Sequence, residues 1–367
     1  MADPWMTRWG ASGMEASLAA AVAAAWLLTM LSRSVRPFAP GALAGLAFLV
    51  RPELAILGPL GLLRSEYRTS LRRTALLILP WVAVVSAWSL FALHYFGRAV
   101  PEAVSAKAST VPILSYLASE LPRLAGSLAV SCGPLAAAAI CAVVRGRGSS
   151  PEGSGRRKTG ISLAVLPAVI LSVMLLAGGA PATTRYMVPV MPLLFAGLAS
   201  AAFGPGPVPR RGAGAASVLT LALQIGLSAS AVWPHMAVAA ANMEIYREVA
   251  SGLDSLTPPG SLVAVQEIGV FGYEGHRRLL DLGGLVTPGA RSGYPGLDTD
   301  AMASVSYLRD HGATHILDPH GAVARLAGSE DRLGVAFEPL GSWVFPGGTS
   351  LSGGETYTRV LYRLDWR

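Results

Sequence analysis

Arg51 and Glu53 interrupt an otherwise apolar stretch, with Pro37–Val50 before them and Leu54–Leu63 after. An ionisable side chain at membrane depth costs about 2.5–3.5 kcal/mol on insertion scales. Such a pair therefore marks either a functional cavity or a staple at the tip of a hairpin. Lys107 and Arg185 form a second set, each a cation at the end of an apolar segment, where a phosphate head group would sit. Lysine brings a point charge and arginine a bidentate fork, the two tools with which proteins hold phosphate. The alternative for both is snorkelling to lipid head groups. Glu15 stands just ahead of the first uncharged run, either as a working carboxylate or as an acid that favours a helix N-terminus. Further on, Glu267-Ile268-Gly269-Val270-Phe271-Gly272-Tyr273 and Leu280-Asp281-Leu282-Gly283-Gly284-Leu285 combine glycines, a tyrosine and acids at strand ends. That pattern suits a binding edge or a plain structural turn.

The elements that must position these groups are mostly apolar. Only 14% of the 367 residues are charged, while 52% are hydrophobic. A soluble chain carries about 25% charge, so the composition argues for a membrane protein. The charge is also split: residues 1–243 hold 19 Lys/Arg against 7 Asp/Glu, and residues 244–367 hold 10 against 15. We therefore expect a polytopic α-helical membrane domain over 1–243 followed by a small soluble α/β domain over 244–367. The basic half does not point to nucleic acid, because its cations lie in short loops between apolar runs. Two cysteines, Cys132 and Cys141 in one apolar run, make no disulfide framework and no metal site.

The uncharged runs are 16–32, 37–50, 54–63, 74–97, 124–144, 159–184, 186–209 and 212–243. The loops at 33–36, 64–73, 145–158 and 210–211 contain 13 Lys/Arg, and such loops stay in the cytoplasm. Placing all four inside makes Arg51-Pro52-Glu53 the outer tip of a hairpin. It also sends the loop after Phe96, Arg185 and everything beyond His235 to the outer face. In the acidic part, a helix over 242–256 ends at Thr257-Pro258-Pro259-Gly260. Strands are expected at 262–265, 314–317 and 357–366, with a helix at 302–312. No GxGxxG or Walker motif is present for a nucleotide donor. His311, His315 and His320 run from a helix end into a strand and a turn, which does not put zinc ligands on one face.

In order along the chain stand Gly13-Met14-Glu15 before a helix, Gly45-Leu46-Ala47-Phe48-Leu49-Val50-Arg51-Pro52-Glu53, and Tyr95-Phe96-Gly97 with Pro101 and Ala106-Lys107. Then come Arg185-Tyr186 with Pro189 and Pro192, Ile268-Gly269 with Gly272-Tyr273, and Asp281-Leu282 with Gly284-Leu285-Val286. This series resembles the polyprenyl-phosphate-dependent GT-C glycosyltransferases of bacteria, in the mannosyl- and arabinofuranosyltransferase-like branch. The resemblance implies transfer of a sugar from a lipid phosphate to an acceptor hydroxyl on the outer side of the bacterial cytoplasmic membrane. The expected partners are membrane lipid, the lipid-linked donor and a glycan or lipid acceptor. No cofactor is required by it, and a divalent cation beside the phosphate is left open.

Carried over by position, Lys107, Arg185 and Arg51 bind the donor phosphate, while Tyr95, Tyr186, Glu267, Tyr273 and Asp281 line the cavity or meet the acceptor. The family's catalytic acid lies in a first large loop that this sequence does not contain. The expectation is therefore an incomplete enzyme, cut at its N-terminus or dependent on a partner, with Glu15 or Glu53 as candidate base if the chain works alone. The readings from other classes are a transporter or flippase, which would show two repeated halves with broken helices, and a membrane scaffold with a periplasmic binding domain.

Overall fold

A computed structural model describes residues 3–10, 15–32, 36–97, 113–145, 165–166, 168–170, 172, 185–203, 210–287, 290–318, 321–326, 328–347 and 356–367. The fold is mostly helical, with a small mixed sheet in the C-terminal part. Two units emerge among the described residues, one within 3–232 and the other within 233–367.

The first unit opens with α1 (Pro4–Gly10), α2 (Ala16–Leu31) and α3 (Phe38–Val50). Helix α3 stops because Arg51 precedes Pro52. The proline ring disfavours the helical region for the residue before it, and Arg51 is extended at φ −150° and ψ 119°. Pro52 then starts a 3-10 turn, Pro52–Ile56, where its missing N–H is harmless. The chain returns through α4 (Leu57–Leu60) and the 3-10 turns Gly61–Leu63 and Ser65–Tyr67. Helix α5 (Leu71–Phe96) follows, capped by the Ser70 side chain, which accepts from the Arg73 N–H, and closed by Gly97 in the left-handed region. Then come α6 (Ile113–Arg145), a 3-10 turn at Val188–Val190, α7 (Met191–Phe203) and α8 (Arg210–Leu227).

Close approaches fix the directions of these helices. A Cβ on Gly41 would meet the Leu77 carbonyl oxygen at 2.0 Å, and one on Gly45 would meet Val84 at 3.0 Å. Rising numbers on both sides mean that α3 and α5 run parallel. Gly58 lies against Trp81 and Gly61 against Leu77, so the return arm runs antiparallel to α5. Small residues at such crossings let helix backbones approach where lipid supplies no hydrophobic drive. The core beneath is built from Trp26, Met30, Leu54, Leu57, Leu77 and Leu193.

Among the described residues, two helices are long and apolar enough to cross a membrane, Leu71–Phe96 and the continuous stretch Arg211–Leu256, and a bent pair within 114–144 makes a third candidate. Helix α2 has 16 residues and spans about 24 Å, short of a roughly 30 Å hydrocarbon layer. The run 16–32 is thus one of several shorter apolar helices rather than a full-length span. Large apolar side chains such as Leu79, Leu90, Val218 and Leu219 are exposed on α5 and α8, a surface suited to lipid.

In the second unit, α9 (Trp233–Leu256) follows directly on a π-helical turn at Ser228–Val232. After it come β1 (Leu262–Val265), α10 (Gly269–Glu274), β2 (Arg278–Asp281), α11 (Ala290–Gly293), α12 (Ala301–Asp310) and β3 (His315–Asp318). The chain ends with α13 (Ala322–Arg325), α14 (Glu330–Leu333), β4 (Val335–Phe345) and β5 (Tyr357–Trp366). The strand order is β2-β1-β3-β5-β4; β1 pairs parallel with β2 and β3, and β5 pairs antiparallel with β3 and β4. Val263, Leu317 and Leu361 pack under α9 with Val249 and Leu253. The other face is filled by Ile316, Val305, Leu308 and Leu364.

His315 gives this unit a pH dependence. It is buried at the start of β3 with no partner on Nε2, and burial, then Arg363, pushes its pKa below the ordinary imidazole value. The folded state therefore holds it neutral, and the unfolded chain takes up the proton first on acidification. Stability should fall as pH drops through about 6.5 toward the lowered value of the folded state. Denaturant midpoints of His315→Gln should decline less steeply over that window than those of the parent chain.

Candidate functional site

Three segments meet at one end of the first unit: the start of α2, the turn after α3, and the residues leading into Val188–Val190. Their charged side chains gather on Arg51, which is 4% exposed. Its Nε lies 2.9 Å from Glu53 Oε1 and 3.8 Å from Glu15 Oε1. Its Nη1 donates to the Arg185 carbonyl at 3.0 Å, across 134 residues of sequence. The guanidinium also sits 4.8 Å above the Tyr186 ring, and the Arg185 guanidinium lies 5.5 Å from the same ring. Glu15, Arg51, Glu53, Arg185 and Tyr186 are thereby one cluster of two acids, two cations and an aromatic ring.

The sequence explains how each segment arrives. Arg51 is extended by the proline that follows it, which turns its side chain out of the helix and toward α2. Glu15 occupies the N-cap position of α2 without capping it, so its carboxylate is available to Arg51. Arg185 and Tyr186 precede Pro189 and Pro192, which start the 3-10 turn and α7 and keep the preceding backbone irregular. Burial of a guanidinium is tolerated only when it is paired and hydrogen-bonded, and here both carboxylates and a carbonyl serve.

The opposite end is basic. Arg64 is buried and donates to the carbonyls of Thr29, Met30 and Ser32 at the C-terminus of α2, as well as pairing with Glu66 at 2.7 Å. Arg68, Arg72 and Arg73 follow on the same side.

The remaining expected site residues are placed differently. Lys107 lies outside the described residues. Tyr95 is exposed near the end of α5 and contacts Phe91 and Phe96 at 5.6 and 4.9 Å, an aromatic group of the kind found at membrane interfaces. In the second unit, the Asp281 carboxylate is fully buried and accepts from the N–H groups of Gly283, Leu285 and Val286. That geometry is a structural turn. Tyr273 is 89% exposed on α10. Glu267 follows β1 and accepts from Tyr246 Oη at 2.5 Å and Arg359 Nη2 at 2.8 Å.

Arg359 and Tyr246 escaped the sequence reading. Arg359 is buried on β5 within 5.2–5.5 Å of the rings of Tyr246, Phe345 and Tyr357. Burial, then the hydrogen bond to Glu267, raises the Tyr246 phenol above its ordinary pKa. An arginine two residues after a tyrosine, and so on the same strand face, Tyr357 and Arg359, is the available signal. Among the described residues, no three His, Cys, Asp or Glu side chains stand close enough to hold a metal ion.

Residues 235–357 match a protein family described as a domain of unknown function, DUF8728. That match falls within the second unit. Among solved structures, the chain is similar to the arabinofuranosyltransferase AftD from Mycobacteria, determined by single-particle cryo-EM, with 16% identity and a TM-score of 0.47. The similarity covers 96% of this chain and 30% of AftD, so the chain spans less than a third of that protein. Comparison with curated proteins gives no match.

Proposed function

We propose that this chain is a membrane glycosyltransferase that moves a sugar from a polyprenyl-phosphate donor to an acceptor hydroxyl. The observation that carries the reading is the gathering of Glu15, Arg51, Glu53, Arg185 and Tyr186 at one end of an apolar helical unit. Lipid-linked sugar transfer needs two things at that depth. A fixed cation must meet the phosphate as negative charge grows on it, and a carboxylate must take the acceptor proton. Arg185 supplies the first in this reading, with Lys107 expected beside it. Glu15 and Glu53 supply the second. The positive-inside rule supports reading the basic opposite end, with Arg64, Arg68, Arg72 and Arg73, as cytoplasmic and the cluster as facing outward.

The test is direct. Purified chain is incubated with a panel of labelled polyprenyl-phosphate sugars and an acceptor glycan, and free lipid phosphate is measured. Release of lipid phosphate with transfer of label is the expected result. A transporter would instead move the intact labelled lipid across a bilayer, and that outcome overturns the reading.

A further inference from the structure

The two carboxylates of the cluster are held unequally. Glu53 Oε1 is a buried atom 2.9 Å from Arg51 Nε, an ion-pair contact without hydrogen-bond geometry, and the Glu53 side chain is 22% exposed. Glu15 stands at 3.8 Å and is 39% exposed. The Glu53 carboxylate is engaged with the buried guanidinium in its own turn and turns one oxygen away from solvent. The looser, more exposed carboxylate keeps a face that an incoming hydroxyl can reach. Arg51 is itself fixed from three segments: by Glu53 in its own turn, by Glu15 at the start of α2, and by the Arg185 carbonyl. A guanidinium pinned in this way orients its neighbours rather than following a ligand.

We propose that Arg51 is a positioning residue, not a ligand of the donor phosphate, and that it leaves Glu15 as the group that takes the acceptor proton. This rests on the transferase reading. In the step, the acceptor oxygen forms its bond to the anomeric carbon while its proton passes to the Glu15 carboxylate. The bond between the anomeric carbon and the phosphate oxygen breaks, and its electron pair leaves with the lipid phosphate. Arg185 meets that charge. Arg51 holds Glu53 as counter-ion and, through the Arg185 carbonyl, ties the donor side of the cluster to the acceptor side.

The experiment compares full-length Glu15→Gln, Glu53→Gln, Arg51→Lys, Arg51→Gln and the double variant Arg51→Gln/Glu53→Gln. Each is assayed for lipid-phosphate release over a pH series and for thermal midpoint in detergent. Glu15→Gln should melt with the parent chain, lower kcat by about 10²–10⁴-fold and lose the acidic limb of the pH profile, with donor KM little changed. Glu53→Gln should cost about tenfold or less and keep that limb. Arg51→Gln should lower kcat and the thermal midpoint together, Arg51→Lys should recover part of both, and the double variant should regain midpoint because no buried carboxylate is left unpaired.

Loss of the acidic limb in Glu53→Gln rather than Glu15→Gln overturns the proton assignment. A rise in donor KM at unchanged kcat in Arg51→Gln overturns the positioning role. If the parent chain releases no lipid phosphate from any donor, the transferase reading fails and Glu15's role fails with it. The melting comparison still decides on Arg51 in that case, since equal midpoints for the single and double variants overturn the positioning role.

Discussion

Arg185→Ala is expected to lower donor turnover by about 10²–10³-fold, the usual loss when one preorganised stabiliser of developing charge is removed. Arg185 leads into the turn before α7, its carbonyl is held by Arg51, and its guanidinium lies 5.5 Å from the Tyr186 ring. In that setting the charge is displayed on a fixed backbone rather than on a free loop. Arg185→Lys should retain part of the activity, because a point charge remains but the fork that grips two phosphate oxygens is gone. The measurement is kcat at saturating labelled donor for both variants and the parent chain. Parent-level turnover in Arg185→Ala would remove Arg185 from the chemistry.

The second large effect is on stability. Arg359→Ala should destabilise the C-terminal unit by about 2–5 kcal/mol, the range found when a large buried side chain is cut back to alanine. Arg359 is nearly inaccessible, paired with Glu267 at 2.8 Å, and surrounded by Tyr246, Phe345 and Tyr357. Its removal opens a void among three rings and takes away contacts worth about 0.5–2 kcal/mol each when desolvated. Glu267→Gln should cost less, since that side chain is half exposed and water screens it. Hydrogen exchange of the β3 and β5 amides in the full chain resolves the loss. Unchanged protection in Arg359→Ala would show that the aromatic residues close over the gap unaided.

The cluster on Arg51 was legible in part, and the reason is local. Arg-Pro-Glu between two apolar arms can hardly be anything but a turn carrying charge, because the proline forces the arginine out of helical geometry. Arg185 stood out for the same reason, as a cation at the border of an apolar run. That Arg51 and Arg185 share a site is what the family resemblance implies; the particular bond between them is not, since 134 residues separate them and no local pattern encodes a hydrogen bond from a side chain to a distant carbonyl. Strand β5 alternates along its length and is visible in the sequence. Its partner β4 is not, because Pro339 and Gly341 break the pattern, and the ladder shifts register there on an edge strand. The short helix Gly269–Glu274 hides between two glycines for a similar reason. Charge composition splits the chain at Met243/Glu244, whereas the units divide between Val232 and Trp233, inside a continuous helical stretch. Composition tracks solvent, and compactness tracks packing; the two need not change at the same residue.

Arg64 at the far end of α2 has a consequence for depth. The return arm Pro52–Leu63 is tied to α2 at its start, where Glu15 meets Arg51, and just past its end, where Arg64 takes up the carbonyls of Thr29, Met30 and Ser32. Helix α2 is therefore a spacer, about 24 Å long, with an arginine clamp at each end. The level of Glu15, Arg51 and Glu53 along the bilayer normal is set from the basic end by a rigid rod, not by where the lipid surface happens to lie. Since that rod is shorter than the hydrocarbon layer, the lipid must thin around it or leave the charged cluster recessed below the interface. On the proposed transferase reading, the lipid-linked donor then meets the cluster at a fixed height.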